Sequence, residues 1–148
     1  CQDASTIITK EKFDVILIDA PCSSTGTIRK NPDILLRTSS FNLNNIIENQ
    51  MKILSNASKL LKKNGLLMYV VCSLEKAEGE KLITEFCRNN ENFKIEPICL
   101  SEINIKNSSI LNHDGFLRLL PNSLVFSKKN VFNGSDGFFS AILKKTEN

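Results

Sequence analysis

Apolar and polar positions follow two rhythms along this chain. Phe13-Asp14-Val15-Ile16-Leu17-Ile18-Asp19 is a short, β-branched, nearly continuous apolar run closed by Pro21, which predicts a strand buried on both faces of a parallel sheet. After a polar loop to about Phe41, apolar residues at Ile46, Ile47, Met51, Leu54, Ala57, Leu60 and Leu61 recur at intervals of three and four, the mark of an amphipathic helix. Lys59, Lys62 and Lys63 followed by Gly65 predict a cationic last turn and a C-cap. Leu66 to Val71 is a second buried strand. Residues 13 to 71 therefore read as strand, helix, strand, a right-handed crossover that lays its two strands parallel.

Beyond this unit the periodicity predicts a second helix from Ala77 to Arg88, with Leu82, Ile83, Phe86 and Cys87 inward, and then an alternating segment through Phe93, Ile95 and Ile98. Phe116 to Leu120 and Phe138 to Leu143 are strand-like runs joined by a loop from Pro121 to Asp136, which fits an antiparallel hairpin at the sheet edge. With 148 residues, 41% of them hydrophobic, one core and one domain are expected.

Two of the cysteines sit at the mouths of the two predicted parallel strands. If those strands are neighbours, about 4.8 Å apart, then Asp19, Cys22 and Cys72 emerge at one carboxyl edge, where open α/β sheets place their ligands. The reacting form of cysteine is the thiolate, so such a pair needs a polarising site. Two thiols and a carboxylate suit a reaction in which one sulfur adds to an electron-poor ring and a base later strips a proton, as in methylation of cytosine at carbon 5. The five cysteines show no CxxC spacing and the single histidine, His113, leaves no four-ligand zinc set, so reduced, cytosolic thiols and no metal are expected. A net charge of +3 is compatible with a polyanionic partner without demanding one. The chain opens on Cys1-Gln2-Asp3 with no initiator methionine or signal-like segment, and its apolar runs are far shorter than the roughly 20 residues of a membrane span, so a soluble piece of a longer protein is expected.

Asp19-Ala20-Pro21-Cys22-Ser23-Ser24-Thr25-Gly26-Thr27-Ile28-Arg29-Lys30-Asn31-Pro32-Asp33 closely resembles the fourth motif of the bacterial RNA cytosine-5 methyltransferases of the Sun/Fmu type. Tyr69-Val70-Val71-Cys72-Ser73-Leu74 with Glu78 and Glu80 resembles their sixth motif, and Gly115 to Pro121 with Asp136-Gly137-Phe138-Phe139 is similar to their closing hairpin. The resemblance implies the C-terminal portion of a Rossmann-like, S-adenosylmethionine-dependent α/β methyltransferase fold over residues 1 to 148, without the N-terminal cofactor-binding half, whose glycine-rich turn is not found among the six glycines.

Carried over residue by residue, the resemblance implies that Cys72 is the nucleophile, that Cys22 assists product release, and that Asp19 contacts the cytosine ring. Asp3, Asp19 and Pro21 would face the methyl donor. Arg29, Lys30 and Arg37 flank the loop and would bind RNA phosphates. The implied activity is methyl transfer to cytosine in RNA, ribosomal RNA first, in the cytoplasm, with the isolated chain inactive for want of its donor loop. Lys76 and Glu78-Gly79-Glu80 replace the family's usual proline and Glu-Asn-Glu-like triplet, which predicts a looser start to the second helix. Three rivals stand beside this reading: a DNA cytosine-5 methyltransferase with Cys22 as nucleophile, a fragment that only folds or binds RNA, and a thiol redox protein.

Overall fold

A computed structural model describes residues 2–37, 42–101, 108–123 and 134–146. The first strand, β1 (Phe13–Asp19), is followed by a single helical turn, α1 (Ile34–Arg37), the long helix α2 (Leu43–Leu60) and β2 (Leu61–Val71). Then come α3 (Glu80–Asn89), β3 (Phe93–Glu96), β4 (Leu117–Leu119) and β5 (Phe138–Lys145). The expected crossover is present: β1 and β2 pair in parallel, from Val15 against Leu66 to Asp19 against Val70. The full order is β1-β2-β5-β3, with β4 also bonded to β5.

The expected antiparallel pairing of the last two runs is present as β4 against β5, but of the two only β4 lies at the sheet edge. β5 runs antiparallel inside the sheet, bonded to β2 along one side, while its other side carries β3 opposite Ile142 to Lys145 and β4 opposite Phe138 to Ser140. Its burial explains the placement, since Phe139, Ala141 and Leu143 are fully enclosed.

Alternation along β2 sets the core. Leu67, Tyr69 and Val71 are fully buried and meet Leu54 from α2 and Leu82, Ile83 and Phe86 from α3 in one cluster. Phe139 stacks edge-on with both Tyr69 and Phe116, an arrangement worth about 0.5–1.5 kcal/mol per pair beyond burial. β1 departs from its predicted burial on both faces. Ile16 and Ile18 join the core, whereas Val15 and Leu17 are 64% and 65% exposed. Among the described residues β1 has one neighbouring strand, and burying both faces of a strand requires a layer on each side.

Helix α2 also ends differently from its predicted cap. Lys62, Lys63 and Gly65 belong to β2, and it is Asn64 that takes the left-handed conformation, at φ 60°. Lys62 pairs across the strands with Asp14 at 2.9 Å. The orphan carbonyls at the helix end are met from elsewhere: Lys12 Nζ donates to Lys59 O at 2.6 Å, and Lys145 Nζ to Ser58 O and Leu61 O at 3.0 and 3.1 Å. Helix α3 starts three residues later than expected, because Gly79 sits at φ −118° and ψ −104°, outside helical geometry. That start is closely packed rather than loose: a Cβ on Gly79 would come within 2.8 Å of the Phe139 ring. Among the described residues no helix is long and apolar enough to cross a membrane.

Candidate active site

Parallel pairing delivers the ends of β1 and β2 to one edge, and backbone bonds carry the register past the strands. Ala20 N donates to Val70 O at 3.0 Å, and Gly26 N, in the short 3-10 turn Thr25–Thr27, donates to Cys72 O at 3.0 Å. Gly26 O then accepts from Gly137 N at 2.8 Å, so the loop after β1 is clamped between the end of β2 and the start of β5. The consequence is direct: Cys22 Sγ lies 3.4 Å from Cys72 Sγ. Ser24 Oγ is 3.9 Å from the first sulfur and 3.7 Å from the second. Both thiols are half-buried and unbridged, and Cys22 and Ser24 open onto a cavity of about 330 Å³ whose far wall includes Thr27, Asn31 and Ile34.

Behind the sulfurs lies a buried carboxylate. Glu78 is fully enclosed, and it accepts from Ser23 N at 2.9 Å, from Ser73 Oγ at 2.7 Å, from Gln50 Nε2 at 2.9 Å, and from the Ser23 hydroxyl. Tyr69 OH donates to the Glu78 backbone oxygen at 3.0 Å. Burial pushes the Cys22 thiol up to about 11, with the Cys72 thiol and the Glu78 charge adding to it against the Ser24 amide. Burial likewise raises Tyr69, helped by Glu78. Burial thus favours the protonated form of Cys22.

On the other flank, Arg118 spans the loop after β2. Its guanidinium grips Glu80 through two bonds of 3.1 and 2.5 Å, donates to Ser73 O at 2.6 Å, and lies 4.9 Å above the Phe139 ring. This fork geometry is one that lysine cannot reproduce.

Of the residues singled out in the sequence, Cys22 and Cys72 are brought together. Asp19 and Pro21 instead line a separate cavity of about 480 Å³ against the outer side of β1, walled by Ala4, Val15 and Leu17. Asp3 is exposed and accepts from Ser5 N and Ser5 Oγ at 2.8 and 2.7 Å, which holds its carboxyl below the ordinary range. Arg29 and Lys30 both reach Asp136, at 3.3 and 2.7 Å. The side chain of Arg37 lies outside the described residues. Cys87 is half-buried against the core, as expected. Among the described residues no cluster of His, Cys, Asp and Glu could hold a metal.

Three residues of the site escaped sequence reasoning: Gln50, Glu78 and Arg118. Gln50 is not among the apolar positions that marked the amphipathic helix, although it is fully buried. The one available signal was that Glu78 and Arg118 fall inside blocks that carry the family resemblance.

The family model for 16S rRNA methyltransferase RsmB/F matches residues 1–144. Ribosomal RNA small subunit methyltransferase B of Pasteurella multocida is 35% identical over 134 residues, 90% of this chain and 26% of that protein. The probable ribosomal RNA small subunit methyltransferase B of Bacillus subtilis is 30% identical over 142 residues, 96% of this chain and 30% of its own length. The chain thus spans between a quarter and a third of these relatives. Among solved structures, the crystal structure of PH0851 superposes with a TM-score of 0.72 at 33% identity, covering 89% of this chain and 26% of that one. The chain belongs to the 16S rRNA methyltransferase RsmB/F family.

Proposed function

We propose that the protein transfers a methyl group from S-adenosylmethionine to carbon 5 of a cytosine in RNA, ribosomal RNA by family, in the cytoplasm. The observation that carries this reading is the 3.4 Å approach of Cys22 Sγ to Cys72 Sγ at the carboxyl edge of a parallel strand pair. Carbon 5 is a poor nucleophile until a sulfur adds at carbon 6. The Cys72 thiolate forms that carbon–sulfur bond, and the ring electron pair moves to carbon 5, which takes the methyl group. Loss of the carbon 5 proton to a base then expels the Cys72 thiolate and restores the aromatic ring. Cys22, held protonated by burial, lies within reach of the departing sulfur and assists its release. An unstacked base is required for the sulfur to reach it.

The donor supplies an electrophilic methyl group on a sulfonium. The cavity beside β1 suits part of such a molecule, because its walls are apolar and its rim carries the Asp19 carboxylate next to Pro21. Asp19 is exposed at the end of β1, so it can serve the cytosine amino group and a cationic donor alike. Asp3 is a second carboxylate for the donor. Arg29 and Lys30 stay 51% and 59% exposed while paired with Asp136, leaving them able to meet RNA phosphates, and Arg37 would join them.

A second reading, a chain that folds or binds RNA without turnover, is favoured by the open apolar side of β1. RNA carrying 5-fluorocytosine separates the two, since fluorine cannot leave as a proton does and the adduct is trapped. With S-adenosylmethionine present and the chain joined to the donor-binding half that the family resemblance implies, a denaturant-resistant protein–RNA species is expected, lost in Cys72→Ala and retained in Cys22→Ala. Loss on Cys22→Ala alone would reverse the two roles, and no adduct in any form would favour the non-catalytic reading.

A further inference from the structure

We infer that Glu78 is a positioning residue for both thiols: its one carboxylate is hydrogen-bonded to the residue that follows Cys22 and to the residue that follows Cys72. Ser23 donates to it through backbone N at 2.9 Å and through its hydroxyl, and Ser73 Oγ donates at 2.7 Å. Two loops fifty positions apart in the chain are thereby fastened to a single rigid group immediately behind the sulfurs.

Gln50 supports the assignment. Its Nε2 donates both to Glu78 at 2.9 Å and to Pro21 O at 2.9 Å, the residue before Cys22, while its Oε1 is buried and meets no partner among the described residues. Gln50 thus ties the carboxylate to the chain just before Cys22 through its two donor bonds. Tyr69 OH fixes the Glu78 main chain from the opposite side at 3.0 Å. The bonds to the carboxylate among the described residues come from neutral groups, so its charge is uncompensated at close range. That charge disfavours a second anion beside it and helps keep Cys22 a thiol.

The catalytic meaning of this arrangement rests on the methyl-transfer reading, but the apposition can be measured without it. Phenylarsine oxide joins two neighbouring thiols to arsenic with release of one water and no change of oxidation state, and it holds single thiols far more weakly. The 148-residue chain is expected to take up one equivalent, and Cys22→Ser or Cys72→Ser to lose it. Glu78→Gln keeps the volume but has one acceptor oxygen where the carboxylate has two, so capture should weaken by about tenfold or more as the thiols lose their fixed separation. Leu54→Ala, a destabilising change in the core, should leave capture unaltered, which a general loosening would not. If Glu78→Gln fails to fold, Ser73→Ala cuts the same link from the other end and should show the same loss. Capture within about twofold of wild type in folded Glu78→Gln or Ser73→Ala would overturn the inference, as would a wild-type chain that takes up no arsenical. Normal capture with no adduct on fluorocytosine RNA would remove the methyl-transfer reading and leave the positioning role standing.

Discussion

Gly26 is the position where one added carbon should be felt by the whole site. A Cβ there would lie 2.0 Å from Gly137 O and 2.9 Å from Cys72 O, both backbone atoms. The constraint is close approach rather than a left-handed φ, since Gly26 is not among the positive-φ glycines. Relief requires the loop after β1 to part from β2 and β5, which breaks the bonds from Gly26 N to Cys72 O and from Gly137 N to Gly26 O. Two buried backbone bonds at about 0.5–1.5 kcal/mol each and an overpacking term of about 1–3 kcal/mol place the cost of Gly26→Ala near 4 kcal/mol. In a domain of this size that lowers Tm by about 10 °C. Urea unfolding followed by far-ultraviolet circular dichroism is the assay, with the midpoint falling and the slope unchanged. The same variant should lose arsenical capture, because Cys22 sits on the displaced loop. A cost below about 1 kcal/mol would refute the reasoning, since it would mean that the segment around Gly137 gives way freely.

Two further outcomes follow from the electrostatics. Lys30, hydrogen-bonded to Asp136, with Arg29 adding its charge, holds that carboxyl below its ordinary 3.8; a carboxyl with a depressed folded value stabilises above its unfolded value and loses that contribution as pH falls through the folded one. The protein should therefore lose stability below about pH 4, and Asp136→Asn should lack that component; equal acid dependence of the urea midpoint in both forms would contradict it. Cys22 and Cys87 are both pushed up to about 11, chiefly by burial, so at pH 8 each carries about 100-fold less thiolate than a thiol at the ordinary value of 9.0. Iodoacetamide followed by mass spectrometry should label the exposed Cys99 first, with the Cys22 rate still rising steeply above pH 9. A Cys22 rate that levels off below pH 9 would sink this account.

What local pattern could carry, it carried. The β-branched run Phe13–Asp19, the three-and-four spacing from Ile46 to Leu61 and the run up to Val71 specified a parallel crossover, and with it the common edge of Cys22 and Cys72. Side-chain periodicity is a property of neighbouring residues, so it survives in the chain itself. Failures came where a partner distant in sequence decides. Whether both faces of β1 are covered depends on what packs beside it, so an apolar run could not reveal that Val15 and Leu17 stay exposed. The interior position of β5 depends on competition among strand edges, and the end of α2 on lysines from residues 12 and 145.

The centre of the site is the clearest case. Glu78 stands among polar and charged neighbours in the chain, yet it is buried because donors 55, 28 and 5 positions away converge on it. A buried carboxylate is tolerable when such donors replace its water, and only the folded chain brings them together. The residue types and their spacing thus announced two thiols at one edge, while their 3.4 Å separation and the group that maintains it were settled by contacts no local pattern encodes.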